Sequence, residues 1–425
     1  MNAYYCRIAY VFALPISLIL FWGEPITAQN QSKPAVDLAP AATSTLATKS
    51  IRVATFNVSM NRTGATRLTE DLNRQDPQIQ WIAAIIRNVK PDVILLNEID
   101  YSTAADNAKL FNELFLSDSK PDKLGGGPHP MPHIFTAPVN TGVPSGLDLN
   151  NNDRKDDPED AWGFGRYPGQ YGMAVLSRFE IDQKASRTFQ NLLWAKLDGA
   201  FRPMVPETGK PYYSDEVWQQ LRLSSKSFWD VVIKATGKEL HLLASHPTPP
   251  AFDGPEDRNG CRNQDEIRLL VDYISSKNAA ANDYFVDDQG RKGGLVDGGS
   301  FVVAGDLNAD PVDGSNRSEW IHKLLQHPRV AATPIPQSDG AVQAAEKQAQ
   351  KNKEHKGNPA QDTGDFNDQV VGNLRIDYVL PSGDLKILRS GVVWPKIVDS
   401  ASKQLIEQIN AASDHHMVWV DIQLP

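Results

Sequence analysis

The chain has 425 residues, of which 40% are hydrophobic and 22% charged, with a formal net charge of −9. That is ordinary globular composition, long enough for one large domain or two of usual size with a substantial core. The acidic balance excludes a uniformly basic surface made to coat nucleic acid, but it leaves room for a locally basic or metal-bearing cleft.

In chain order, the first segment reads as an export signal. Arg7 lies in a short n-region, "IAYVFALPISLILFW" is apolar, and "PITA" ends in a small residue. Cleavage is expected after Ala28, giving a secreted or periplasmic protein with no transmembrane segment. A retained anchor is the competing reading, but this stretch of about 15 residues contains Pro15 and is shorter than the roughly 20 that span a bilayer. Cys6 would leave with the signal, so Cys261 alone remains and offers neither an internal disulfide nor a cysteine-based metal site. Residues 29–50 are small, polar and Pro/Ala-rich, as suits a flexible linker, and one folded domain is expected over residues 51–425.

"IRVATFNV" and "DVILLNE" have the β-branched, continuous apolar character of buried strands. Between them Ile79, Ile82, Ala83, Ile86 and Val89 fall at helical spacing, closed by Pro91. "SFWDVVIKATGKELHLLASH" predicts a hairpin turning at Thr236 and Gly237. A helix starting near Gln264 follows, with Ile267, Leu270, Val271 and Ile274 on one face. "FVVAGD", "RIDYVL", "LKILRSGVVW" and "HHMVWVDIQL" supply further strands, so the class is α/β. Residues 341–368 are biased in composition and predict a mobile surface excursion with a little helix.

Six strand ends carry polar chemistry: Asn57, Glu98, His246, Asp306 with Asn308, Asp377, and Asp414 with His415. Alone, each has a plain explanation, Asn57 as a turn cap or Asp306-Leu-Asn308 as an Asx turn. Together they imply mutual pairing, a metal, or both, because charged groups at the ends of apolar strands are costly if buried unpaired.

With these residues in place, the sequence resembles the endonuclease/exonuclease/phosphatase superfamily, of deoxyribonuclease I-like fold. The matching segments, in the family's order, are "ATFNV", "DVILLNE", "YGMAVLSR", "LLASH", "VAGDLNADP", "RIDYVL" and "SDHHMV". The resemblance implies a four-layer α/β sandwich, two packed mixed β-sheets flanked by helices, with the site where these loops converge. It implies Glu98 as principal ligand of Mg²⁺ or Mn²⁺, with Asn57 beside it and Asp414 contributing. Asp306 and Asn308 would orient the attacking water and hold phosphoryl oxygens. His415, hydrogen-bonded to Asp377, would be general base or cationic phosphate contact, and His246 a second phosphate ligand or the acid near the leaving group. The chemistry is coherent, since hydrolysis of an anionic ester needs positive charge at its non-bridging oxygens, an oriented water and help for the departing oxygen. Hard oxygen donors suit Mg²⁺ or Mn²⁺, and a carboxylate partner fixes a histidine's tautomer.

Two segments exceed that signature. "DLNNNDRKDDPE" follows a calcium-loop spacing, with Asp148, Asn150, Asn152, Asp156 and Glu159 at positions one, three, five, nine and twelve. It departs from the pattern at Asp153 and Lys155, so Ca²⁺ competes with a merely solvated acidic loop. If occupied, it would order the segment carrying Arg166 and Tyr171 toward the site. "SHPTPPAFDGPEDRNGCRNQDEIR" resembles secreted bacterial members and is either a substrate-facing wall, through Arg258, Arg262 and Asn263, or a rigid loop tied by its own salt bridges.

No Gly-x-Ser-x-Gly, His-Glu-x-x-His or Gly-x-x-x-x-Gly-Lys-Ser/Thr pattern occurs, which removes serine hydrolase, zinc peptidase and nucleotide triphosphatase readings. A DHH-type phosphoesterase shares only the "DHH" triplet. The expected protein is a secreted, metal-dependent, monomeric phosphoesterase, nuclease or phosphodiesterase ahead of phosphatase, acting on nucleic acid, phospholipid or a small phosphorylated molecule. A catalytically silent calcium- or ligand-binding protein on the same fold is the alternative.

Overall fold

A computed structural model describes Leu38 and residues 50–275 and 284–425; the export signal and nearly all of the linker lie outside the described residues. In chain order the first half runs β1 (Ile51–Met60), α1 (Arg67–Asn73), α2 (Pro77–Val89), β2 (Val93–Ile99), α3 (Asn107–Phe111), β3 (His133–Phe135), β4 (Met173–Ser177) and β5 (Glu180–Thr188). The ribbon strands β6 (Met204–Val205) and β7 (Lys210–Pro211), α4 (Asp215–Trp218), β8 (Phe228–Ala235), β9 (Lys238–Ser245) and α5 (Arg258–Ile274) follow. The chain closes with β10 (Phe301–Asp306), α6 (Glu319–Leu325), α7 (Asp339–Gln348), the ribbon β11 (Gly364–Asp365) and β12 (Asn373–Leu374), β13 (Asp377–Pro381), β14 (Lys386–Val392), α8 (Ser400–Ala412) and β15 (Val418–Gln423).

Two mixed sheets result, ordered β14-β15-β1-β2-β4-β3 and β13-β10-β9-β8-β5. Alternation along each strand sends one set of side chains between the sheets and the other outward. The inner layer holds Ile51, Val53, Val93, Leu95, Trp229, Val231, Leu242, Ala244, Val302, Ala304, Val379 and Val418. The outer set of the first sheet, including Phe56, Leu96 and Leu176, packs on the apolar stripes of α2 and α8. That of the second, including Leu243 and Val303, packs on α5 and α6. The architecture is therefore the four-layer α/β sandwich.

Local chemistry sets the boundaries. Asp76 caps α2 through Gln78 N, Pro77 occupies its first turn, and Lys90 ends it in the left-handed conformation. Thr236 (φ 52°) and Gly237 (φ 82°) form the tight hairpin turn between β8 and β9. Three expectations are corrected. The α5 helix begins at Arg258, six residues before the expected Gln264, because its N-cap Asp257 sits at φ 52° without a side-chain cap bond that sequence rules would recognise. The strand expected over "RIDYVL" begins only at its third residue, Asp377. Residues 341–368 are folded, with α7, short 3₁₀ turns and the start of the β11–β12 ribbon, because Ala341 and Thr363 are buried against the sandwich.

Gly305 explains why β10 can approach β9 just before the site. It adopts φ 151°, and a Cβ there would lie 1.9 Å from the Ser245 carbonyl oxygen. Gly305→Ala is expected to cost on the order of 1–3 kcal/mol in chemical denaturation; a variant as stable as the parent would contradict this packing.

Candidate active site

The site grows out of the inner side-chain series, each continued one step past the apolar layer. On β1 the series Val53, Thr55 ends at Asn57, and on β2 Val93, Leu95 ends at Asn97. On β9 Leu242, Ala244 leads to His246, and on β10 Val302, Ala304 ends at Asp306. The antiparallel strands begin at this end, so Asp377 precedes Val379, and Tyr171 precedes Met173. A period of two thus delivers six polar side chains to one edge of the sandwich.

Asp306 is the hub. It is 1% exposed, and its Oδ2 lies 3.1 Å from the donating Asn57 Nδ2, 3.4 Å from His246 Nε2 and 3.7 Å from His415 Nε2. Its Oδ1 accepts from Asn308 N at 2.9 Å, and its own N–H donates to Asn97 Oδ1 at 3.3 Å. Asn308, at φ 50°, turns its amide Nδ2 onto the Pro247 carbonyl, 3.0 Å away. Burial opposes ionisation of Asp306, but the two histidines and the Asn308 N–H outweigh it and hold the carboxyl well below the usual range.

His415 Nδ1 sits 2.9 Å from Asp377 Oδ2, which also accepts the Thr363 hydroxyl at 2.8 Å. Burial alone would push the imidazole down, yet the Asp377 and Asp306 charges raise it well above the ordinary histidine value. The pair therefore keeps its proton on His415. Phe366 packs edge-on to the same ring, with centroids 5.5 Å apart. His246 is moved the other way, by burial first and Lys226 second, and stays neutral. His416, the next residue after His415, takes no part: it stacks on Trp394 at 3.8 Å, and burial lowers it to about 3.

Asp306, Asp377 and His415 bring ligand atoms within 4.8 Å of one another, a group that suits a metal ion by donor type. Its members are largely committed to each other, and an imidazolium has no lone pair for a metal. Glu98 offers a better hard-oxygen donor. It stands at φ 60°, a left-handed conformation unusual for a non-glycine residue. One oxygen accepts from Asn61 Nδ2 at 2.7 Å, while no hydrogen bond reaches the other among the described residues. Asn57 Oδ1 accepts from Ser59 N at 3.2 Å and keeps a second lone pair. Asp414 is exposed beside this turn and accepts from Ser59 Oγ at 3.2 Å. Carboxylate and amide oxygens with open positions are the donor chemistry a divalent ion takes.

Tyr171 flanks Glu98: burial first, then the Glu98 charge, raises its hydroxyl, and Arg166 acts on it oppositely from an exposed position. Asp100 fixes this flank, accepting from Tyr171 N at 3.1 Å and Tyr167 OH at 2.6 Å.

The wall residues read differently from a substrate-facing role. Half-buried Arg262 is spent on the carbonyls of Leu223, Trp162 and Arg222. Asn263 ties the Thr248 and Leu307 carbonyls together at 2.9 and 3.0 Å. Arg258 pairs with Glu256 and lies over Tyr212. Through these bonds the segment is tied to the chain around Leu223 and Leu307. Cys261 is buried within it, and burial pushes its thiol up to about 11.

In the 148–159 loop, Asp148 caps the backbone of Asn152 and Asp153. Asn150 donates to Glu159 at 2.9 Å, and Asn152 to Asp157 at 2.7 Å. Asp156 pairs with Arg154 at 3.2 Å, while Asp157 also accepts from Asn150 Nδ2 at 3.3 Å. The loop is closed by its own amide–carboxylate hydrogen bonds.

The site residues that sequence reasoning missed are Asn97, Asn61 and Thr363. Asn97 was visible in "DVILLNE" as the inner-face neighbour of Glu98, whereas no local pattern marks Asn61 or Thr363.

The chain belongs to the endonuclease/exonuclease/phosphatase family, whose model matches residues 54–415. Membership supports a hydrolase of phosphate esters in general. Among solved structures it is similar to an endonuclease/exonuclease/phosphatase from Beutenbergia cavernae, at 18% identity over 88% of this chain and 72% of that one, with a TM-score of 0.47. A family protein from Leptotrichia buccalis matches at 15% identity over 88% and 100% of the two chains, with a TM-score of 0.42. Sphingomyelinase C from Streptomyces griseocarneus matches at 15% identity over 88% and 99%, with a TM-score of 0.41. No curated protein matches the chain. No helix among the described residues is long and apolar enough to cross a membrane.

Because the folded-state value of His415 is raised, the stabilisation from its pairing is complete below the ordinary histidine value of about 6.5 and is lost as pH climbs through the raised one. In an NMR titration of metal-free protein, His415 is expected to titrate above about 6.5, and Asp377→Asn to bring it down. Equal titrations in parent and variant would contradict the pairing.

Proposed function

We propose that the chain is an exported, divalent-metal-dependent phosphoesterase that cleaves phosphodiesters by attack of water. The observation that carries this reading is the convergence of Asn57, His246 and His415 on one oxygen of buried Asp306, with His415 held protonated by Asp377. Asp306, ionised and rigid, orients the attacking water, and the Asn308 amide lies in the turn beside it. His415 presents Nε2–H to a phosphoryl oxygen. His246, neutral and buried, stands on the other side of Asp306 as a second contact or as the group serving the leaving oxygen. Mg²⁺ or Mn²⁺, held by Glu98 and Asn57 with Asp414 at the rim, would neutralise the non-bridging oxygens when bound. Glu98, Asp306 and Asp414 make the site acidic, which penalises a dianionic monoester more than a monoanionic diester.

With Mg²⁺ or Mn²⁺ and a chromogenic nitrophenyl diester beside the matching monoester, diester hydrolysis is expected to be the faster, and a chelator to abolish it. His415→Ala is expected to lower kcat by about 10²- to 10⁴-fold while leaving the protein folded. An unchanged rate in that variant would overturn the assignment.

A further inference from the structure

Lys226 stands outside every role assigned so far. It is 6% exposed, just ahead of β8. Its ammonium makes no hydrogen bond and no ion pair within 4 Å among the described residues. Burial lowers its pKa, against the attraction of Glu266, Glu98 and Asp306. Glu266 is already engaged, accepting from Ser225 N at 2.7 Å and Thr248 N at 2.6 Å. The other two carboxylates belong to the active site. The Lys226 charge also acts on His246, the histidine beside Asp306.

The backbone around Lys226 is pinned. Asn140 N donates to the Lys226 carbonyl and Asn140 Nδ2 to the Ser224 carbonyl, both at 2.8 Å. Gly163 packs so closely that a Cβ there would lie 2.0 Å from the Ser225 carbonyl oxygen. The 140–163 segment thus roofs this stretch, and since Phe228 of β8 pairs with Ser245 of β9, the chain just ahead of β8 runs beside His246 and Pro247. A buried cation without a partner is a costly state for a folded protein, and such costs are retained where function needs them. On the stretch that follows β9, His246 Nδ1 and Thr248 Oγ1 are buried without hydrogen bonds among the described residues.

We propose that Lys226 is a phosphoryl-contacting residue, its ammonium donating to a non-bridging oxygen of the bound phosphate ester. This rests on the phosphoesterase reading. It adds a fixed protein cation to the charge on His415, with no hydrogen bond or ion pair among the described residues holding it elsewhere.

The test uses Lys226→Met and Lys226→Arg in the full mature chain, with inorganic phosphate as probe in calorimetry at saturating Mn²⁺. Mn²⁺ affinity is followed separately by electron paramagnetic resonance. Lys226→Met is expected to weaken phosphate binding about tenfold or more, with Lys226→Arg recovering part of it. Mn²⁺ affinity and Tm are expected to hold or rise, since an unpaired buried charge is removed. Phosphate affinity within twofold of the parent would overturn the proposal. A variant that fails to fold, or loses many degrees of Tm, would also overturn it by making the lysine structural. If the parent cleaves the diester while Lys226→Met binds phosphate normally, the proposal alone falls. A parent that neither binds phosphate nor hydrolyses either ester removes the phosphoesterase reading and the proposal with it.

Discussion

The carboxylate of Asp306 is the point at which the two sheets become one site. It is buried at the edge of the inner layer, reached from the first sheet by Asn57 and Asn97 and from the second sheet's side by His246, with His415 arriving from the loop before β15. An ionised group there would be destabilising without donors around it. Partners come from four separate segments, three of them donors to the carboxylate, so the sheets cannot shift relative to each other without stranding the charge. Gly305 belongs to the same constraint, since only a residue without Cβ lets β10 carry Asp306 past the Ser245 carbonyl. The fold's rigidity and the site's polarity are two sides of this arrangement.

Much of this was legible in the sequence because strands obey a period of two. Once "FVVAGD" and "DVILLNE" are read as buried strands, the residue that ends each inner series is fixed by parity, and it is polar in every case. Glu98 breaks parity and reaches the site through a left-handed backbone that no propensity argument suggests. Thr363 comes from a stretch whose composition reads as solvent-exposed, yet its hydroxyl supports Asp377 and its backbone pairs with Leu374. Arg262 and Asn263 look exposed by residue type, but the early start of α5 turns them inward, where they tie loops together. Lys226 was hidden for a similar reason. A lysine ahead of an amphipathic strand is normally solvated, and only the roof formed by the 140–163 segment makes it a buried charge.

Several inner polar atoms have no partner among the described residues: Asn97 Nδ2, His246 Nδ1 and Asp377 Oδ1 surround the same hub. Unsatisfied groups of this kind are rare in interiors packed for stability alone. Three of them stand around Asp306 at the end of the inner layer, beside a strained Glu98, where the strands' apolar series give way to polar residues. A ligand with several oxygens and a negative charge is the chemistry that such a set of donors and cations would complete.

The central claim is that the Asp306 charge, more than its shape, organises the site. Asp306→Asn keeps the volume and the acceptor for Asn308 N while removing the charge, so the deciding measurement is its turnover with the diester substrate at saturating Mn²⁺, alongside its thermal unfolding. The account expects a folded protein whose turnover falls about 10²-fold or more. Turnover within a few-fold of the parent would contradict it.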